Sequence, residues 1–105
     1  FDVKHSQGGM VDAEFVVQYL ILLHSSGFSE LQRNLGNISL LQIAEHSGLL
    51  PQGAGLAAAD AYRRLRQYQH TARLDESPTQ VDPALVQTES GAIRRVWEHV
   101  LGPYG

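Results

Sequence analysis

The segment Lys4-His5-Ser6-Gln7-Gly8-Gly9-Met10-Val11-Asp12-Ala13-Glu14-Phe15-Val16-Val17-Gln18-Tyr19 gathers residue types that handle phosphates and metal ions. A glycine pair directly ahead of a helix lets backbone amides approach an anion closely, and the helix dipole adds to the attraction. Lys4 offers a point charge for a phosphate. Asp12 and Glu14 form an acid-x-acid pair of the kind that holds magnesium in phosphoryl-transfer sites. Two positions apart on a helix, however, they diverge by about 200°, a poor arrangement for sharing one ion. Glu14 and Gln18, four apart, do share a face. A carboxylate in the first turn also favours the N-terminal dipole whatever else it does. On residue types alone, helix capping by Asp12 and a buried polar network of Glu14 with Gln18 are the simpler readings. A buried charge without a partner is costly, so Glu14 is expected to meet Arg66 or Arg33 from another helix.

A second constellation lies further on. Arg63, Arg66, His70 and Arg73 recur at i, i+3, i+7 and i+10, which aligns them as a basic stripe on one helix face. Such a stripe binds phosphate or an acidic partner, or is simply a solvated face. The five histidines show no i, i+4 or HExxH spacing, so no metal site is expected. Absence of cysteine removes disulfides, zinc thiolate sites and a Cys nucleophile, and leaves a reducing cytoplasmic compartment as the natural expectation. No Gly-x-Ser-x-Gly or Ser-His-Asp arrangement is present.

The elements that must position these groups read as helices throughout. Asp2 to Gly9 is polar and closes on Gly8-Gly9, a loop signal. From Met10 to about His24 the residues, with Val11, Phe15 and Leu22 among them, are apolar nearly all round, which predicts a buried, central helix. Its length outweighs the strand signal of its β-branched run, and Gly27 stops it. Ser29 can cap a short turn through Glu30, Leu31 and Gln32. Asn34 and Asn37 are N-cap candidates for a second helix that turns Ile38, Leu40, Leu41 and Ala44 inward. Gly48 stands where a helix needs a left-handed C′ residue, with Leu49 packing back and Pro51 barring continuation. A third helix is expected from after Gly55 to about Leu74, with Ala61, Leu65, Tyr68 and Ala72 as its core stripe. Asp75 to Gln80 is a linker, and Asp82-Pro83 opens a short turn with Pro at N1. A last helix, about Thr88 to Leu101, turns Ile93, Val96, Trp97, Val100 and Leu101 to the core. No strand pair bounded by turns and no internal repeat is visible. The expected fold class is all-α, a single helical bundle of four main helices plus short turns.

Bulk composition agrees. The 105 residues fit one domain, and 43% hydrophobic with 18% charged residues is a composition that buries a core. A formal charge of −3 argues against nucleic acid as a partner. The longest apolar run, Phe15 to Leu23, is too short to span a bilayer. The chain opens on Phe1 rather than an initiator Met, and the expectation is a cut within a longer polypeptide.

The string Lys4-x-x-x-Gly8-Gly9-x-x-Asp12-x-Glu14-Phe15-x-x-Gln18-Tyr19 resembles a motif of the glutamine synthetase adenylyltransferases, the bifunctional adenylyl-transferring and adenylyl-removing enzymes. The resemblance continues through Asn34 and Asn37, through Ala61-Tyr62-x-x-Leu65-Arg66-x-x-x-His70, and into the Trp97 helix, covering nearly the whole chain. The shorter Lys, Gly-Gly, Asp pattern also resembles the related PII uridylyltransferases; the Glu-Phe-x-x-Gln continuation favours the adenylyltransferase. Ala13 departs from the family, which usually carries Ile there.

This resemblance implies a parent enzyme that transfers AMP from ATP to a tyrosine of glutamine synthetase, and removes it by phosphorolysis, under control of PII and glutamine. ATP and magnesium are then cofactors of the parent, with none expected for the fragment. The family's transferase carboxylates lie in a Gly-Ser…Asp-x-Asp segment that this chain lacks, so the chain alone is expected to be inactive. Residues 1–9 are read as a linker from an upstream nucleotidyltransferase domain and 10–105 as the helical domain closing the C-terminal half. Lys4, Gly8, Gly9, Asp12, Glu14 and Gln18 are the residues expected near the nucleotide or at the interdomain contact. An alternative remains: a free-standing interaction module docking an acidic partner through Arg63, Arg66, His70 and Arg73.

Overall fold

A computed structural model describes residues 1–24 and 36–104. Four α-helices follow one another in it: α1 (Met10–His24), α2 (Asn37–His46), α3 (Ala54–Leu74) and α4 (Gln87–Leu101), with a short 3-10 turn, Pro83–Val86, leading into α4. Among the described residues there is no strand, only an isolated antiparallel bridge between Asp2 and Gln80. The fold is all-α, as the periodicities require. The expected stop at Gly27, the turn at Ser29 and the positions Arg33 and Asn34 lie outside the described residues.

Local signals set most boundaries. Gly48 has φ +84°, and the amides of Gly48 and Leu49 donate to the carbonyls of Glu45 and Ala44 at 3.0 and 2.9 Å. That is the Schellman pairing that satisfies the last carbonyls of a helix. Asp82 accepts from the Ala84 amide at 3.0 Å and caps the 3-10 turn whose first residue is Pro83. At α2 the expectation fails. Gly36 occupies the N-cap position and Asn37 is the first helical residue, its side chain donating to the Tyr62 hydroxyl at 3.3 Å instead. The start of α3 is capped from a distance: Glu45 on α2 accepts from the Leu56 amide at 2.9 Å. This bond, with further help from Gly53 and Gly55, holds the Glu45 carboxyl below its ordinary range, as a helix N-terminus does for an anion.

Two buried clusters form the core. One joins Val16, Val17, Leu20 and Ile21 of α1 to Leu40, Leu41 and Ala44 of α2, Ala54, Ala58 and Ala59 of α3, and Val96 of α4. The other joins Met10 and Ala13 to Ala61, Tyr62, Leu65, Val86 and Ile93, with Val3 inserted from the N-terminal loop. Alanines on α3 let α2 pack close; a Cβ on Gly55 would run into the Leu41 carbonyl. Two expectations need correction. The α3 stripe is buried at Ala61 and Leu65 but emerges at Tyr68, 38% exposed, and at half-buried Ala72. The ten residues of α2 cover only the first part of the 21-residue α3, which at 1.5 Å per residue runs on well past them. The helix predicted to be buried all round is not: on α1, Val11, Phe15 and Leu22 are 36%, 52% and 67% exposed.

Val3 anchors residues 1–9 to this core, with Phe1 packed against it. Val3 is fully buried, the Val3 amide donates to the Thr79 carbonyl at 3.2 Å, and the Val81 amide donates to the Phe1 carbonyl at 2.7 Å. Asp2 folds the loop by accepting from the amides of Lys4 and His5. The Lys4 amide chiefly keeps its carboxyl below the ordinary carboxylate range.

Candidate functional site

The glycine pair meets the first turn of α1 at a corner built from both ends of the described chain. Gly8 lies at φ +79°, a conformation open to glycine, and a Cβ there would meet the carbonyl and the Oγ of Ser90 on α4, both at 2.8 Å. Its amide donates to Asp12 Oδ2 at 2.8 Å. The Gly9 amide donates to the Ser6 carbonyl, and the amides of Met10 and Val11 donate to the carbonyls of Val3 and Lys4, at 2.8, 2.9 and 2.9 Å. The amides that a phosphate would use thus bind the chain itself. Lys4 takes part through its backbone, with its side chain half-buried.

A residue that pattern reading missed completes the corner. Tyr104 donates its hydroxyl to the same Asp12 Oδ2 at 2.7 Å. Its ring stacks on Trp97, centroids 4.9 Å apart and planes 8° apart, while the Arg94 guanidinium lies 5.5 Å from the Tyr104 ring centre. Burial first, and then the bond to Asp12, push the Tyr104 phenol well above its ordinary range. Trp97, expected in the core, is half-buried between Tyr104 and Phe15, whose ring centre is 5.5 Å away. No local signal announces Tyr104; it follows Gly102-Pro103, where only a helix stop is legible.

Glu14 turns elsewhere. It accepts from the Tyr62 hydroxyl at 2.7 Å, and that same oxygen accepts from Asn37 Nδ2. Burial and the bond to Glu14 raise the Tyr62 phenol above its ordinary range. The network expected between Glu14 and Gln18 is not formed: Gln18 is exposed. Arg66 does not pair with Glu14 directly but lies over the Tyr62 ring, 5.8 Å from its centre. The two carboxylates therefore serve two different tyrosines, and they do not fit a shared magnesium ion. Among the described residues no group of three His, Cys, Asp or Glu side chains is placed to hold a metal, and no helix is long and apolar enough to cross a membrane.

The basic stripe is exposed along α3 at Arg63, Arg66, His70 and Arg73. Arg63 pairs with Asp60 at 2.8 Å on the surface, an interaction of small worth. Arg66 and His70, with Gln67 and Thr71, line an open hollow of about 560 Å³. On the neighbouring face, Arg64, Tyr68, Thr88 and Glu89 line a groove of about 580 Å³ between α3 and α4. Arg64 reaches the buried Glu89 carboxylate across it at 3.6 Å.

Comparison with known proteins places this geometry in a family context. Residues 1–79 match the family described as GlnD PII-uridylyltransferase. Over 102 residues the chain is 48% identical to the bifunctional glutamine synthetase adenylyltransferase/adenylyl-removing enzyme of Bordetella bronchiseptica, covering 96% of this chain and 11% of that protein. The enzymes of the same description from Burkholderia mallei and Nitrosomonas europaea are 43% and 44% identical, over 97% and 91% of this chain. The chain spans 10–11% of the length of these curated relatives. No solved structure matches it.

Proposed function

The chain belongs to the GlnD PII-uridylyltransferase family, with its sequence on the side of the bifunctional glutamine synthetase adenylyltransferase/adenylyl-removing enzymes, and we propose that it is a helical domain that braces the nucleotidyltransferase site of such an enzyme. The parent transfers AMP from ATP to a tyrosine of glutamine synthetase and removes it by phosphorolysis, with PII as a regulatory partner, in the cytoplasm. ATP and magnesium are handled by its nucleotidyltransferase domain, and this chain contributes no catalytic group. The observation that carries the bracing role is the pair of hydrogen bonds that the Gly8 amide and the Tyr104 hydroxyl donate to Asp12 Oδ2. It ties residues 1–9, the proposed link to the upstream domain, to α1 and to the end of α4. A carboxylate held by two donors from separate segments orients a corner.

The test is Asp12→Asn in the full-length polypeptide, scored by AMP transfer from ATP to glutamine synthetase and by melting temperature. Bracing predicts that both fall together. Transfer lost at an unchanged melting temperature would make Asp12 a site residue and overturn bracing. AMP transfer by the 105-residue chain alone would overturn the view that its catalytic centre lies elsewhere.

A second reading draws on the exposed basic face of α3, where Arg66 and His70 border an open hollow. There the chain docks an acidic partner, and capture of such a partner would weaken steeply with salt. Retention of a partner other than glutamine synthetase, abolished by Arg66→Glu, would favour it.

A further inference from the structure

Helix α1 is apolar nearly all round its circumference, yet the bundle covers only part of it. Val16, Val17, Leu20 and Ile21 are at most 3% exposed, while Phe15, Leu22 and Leu23 are 52%, 67% and 55% exposed. Val11, Phe15 and Leu22 fall at i, i+4 and i+11, on one outer stripe that exposed, uncharged Gln18 shares at i+7. The charged groups of α1 between Met10 and Leu23, Asp12 and Glu14, are both drawn to tyrosine hydroxyls of the bundle, which leaves the outer stripe without charge. Trp97, half-buried against Phe15, extends the apolar surface onto α4. Among the other described residues, Leu56 and Leu74 stand singly and Tyr68 lies with Leu85 along the groove between α3 and α4, and small exposures of that kind are ordinary. A helix apolar on all sides is one that is covered on all sides. The missing cover is not supplied by the described residues, and the chain accounts for 11% of the length of its Bordetella relative.

We infer that the outer stripe of α1, Val11, Phe15 and Leu22, continued by Leu23 and Trp97, is the seat on which an apolar surface of another part of the same polypeptide packs. The inference rests on the uncovered face and on the length of the relatives, not on AMP transfer. The seat begins at Val11, beside the Gly8–Asp12 corner, so the covering segment lies next to that corner.

The experiment is hydroxyl-radical footprinting by mass spectrometry on the monomeric full-length polypeptide, comparing Phe15, Leu22 and Leu23 with Leu74 and Leu85. In this structure all five are more than half exposed. The expected result is several-fold slower oxidation of the three α1 residues than of the two reference leucines. Leu22→Arg in the same polypeptide is expected to restore fast oxidation of Phe15 while far-ultraviolet circular dichroism keeps its helical signal. Equal oxidation at all five positions would overturn the inference. So would protection that vanishes on dilution to monomer, which would make a second copy the occupant. So would equal protection in the isolated chain, which would mean that the chain covers its own helix. Because the readout does not involve AMP transfer, a protected α1 in an inactive polypeptide would sink the proposed function and leave this inference standing.

Discussion

Replacing Tyr104 with Phe removes one oxygen and leaves the ring on Trp97, so it isolates the bond to Asp12. A phenol donating to a carboxylate at 2.7 Å is a charge-assisted bond, worth about 1.5–3 kcal/mol net. The Gly8 amide still holds Asp12 after the substitution, and the site is only half-buried. Both place the loss near the lower end, about 1–2 kcal/mol, or roughly 5–10 °C in melting temperature for a domain of this size. Tyr104→Ala removes the stacked ring as well and costs about a further 1 kcal/mol or more. The assay is urea denaturation of the 105-residue chain followed by circular dichroism, with Asp12→Asn and the double variant completing a cycle. A coupling near 1 kcal/mol between Asp12→Asn and Tyr104→Phe is expected. Strict additivity, with coupling under about 0.3 kcal/mol, would refute the corner as described. A pH series adds an independent check. Folding raises the Tyr104 phenol above its unfolded value, so its protonated form is the one folding favours. That stability is complete below about pH 10 and is lost as the pH climbs beyond it. Tyr104→Phe should flatten the alkaline loss relative to the natural chain.

Three further outcomes follow from the same geometry. Gly8→Ala should destabilise by about 2–3 kcal/mol, since left-handed strain of about 1–2 kcal/mol adds to the collision with Ser90. Gly48→Ala has the same strain but open space around its Cβ, so thermal melts should show a loss of only about 1–2 kcal/mol; equal losses at the two positions would contradict the packing at Gly8. Tyr62→Phe leaves the half-buried Glu14 carboxylate without its 2.7 Å donor and should cost about 1–2 kcal/mol by urea denaturation. It should also reduce the alkaline loss, because the Tyr62 phenol is likewise raised.

The parts of this fold legible in the sequence are those written in neighbouring residues. The start of α1, the Schellman stop at Gly48 and the Asp82-Pro83 cap each depend on residue types within a few positions. Asp12 lies in the first turn of α1, as its position in the sequence indicates, and its capping of the Gly8 amide follows from that position. Its second donor lies 92 residues away, and the partner of Glu14 lies 48 away. Nothing in a helical period points to either. Arg66 was the natural expectation for Glu14 because charge seeks charge, but Tyr62 stands between them and takes both, one by its hydroxyl and one by its ring. Asn37 has the residue type of an N-cap, yet it sits one position inside the helix with Gly36 at the cap. The partial burial of α1 escapes the sequence for a plainer reason. Apolarity all round says that a helix is covered in its native setting, not that one chain of 105 residues provides the cover.

The pairing of residues 1–3 with residues 79–81 bears on the order of events expected in folding. Drawing together groups separated by nearly eighty residues costs about 2 kcal/mol more loop entropy than closing a loop one-tenth as long. The helical hairpins formed by α2, α3 and α4 close shorter loops and are expected to form ahead of it. During synthesis, α1 leaves the ribosome before Thr79, Val81 and Tyr104 exist, so its Asp12 corner settles last. Contacts made after the rate-limiting barrier set the speed of unfolding rather than of folding. The Val3–Thr79 and Asp12–Tyr104 bonds are therefore expected to act as a clasp: weakening them should shorten the lifetime of the folded chain while leaving the time it takes to fold almost unchanged.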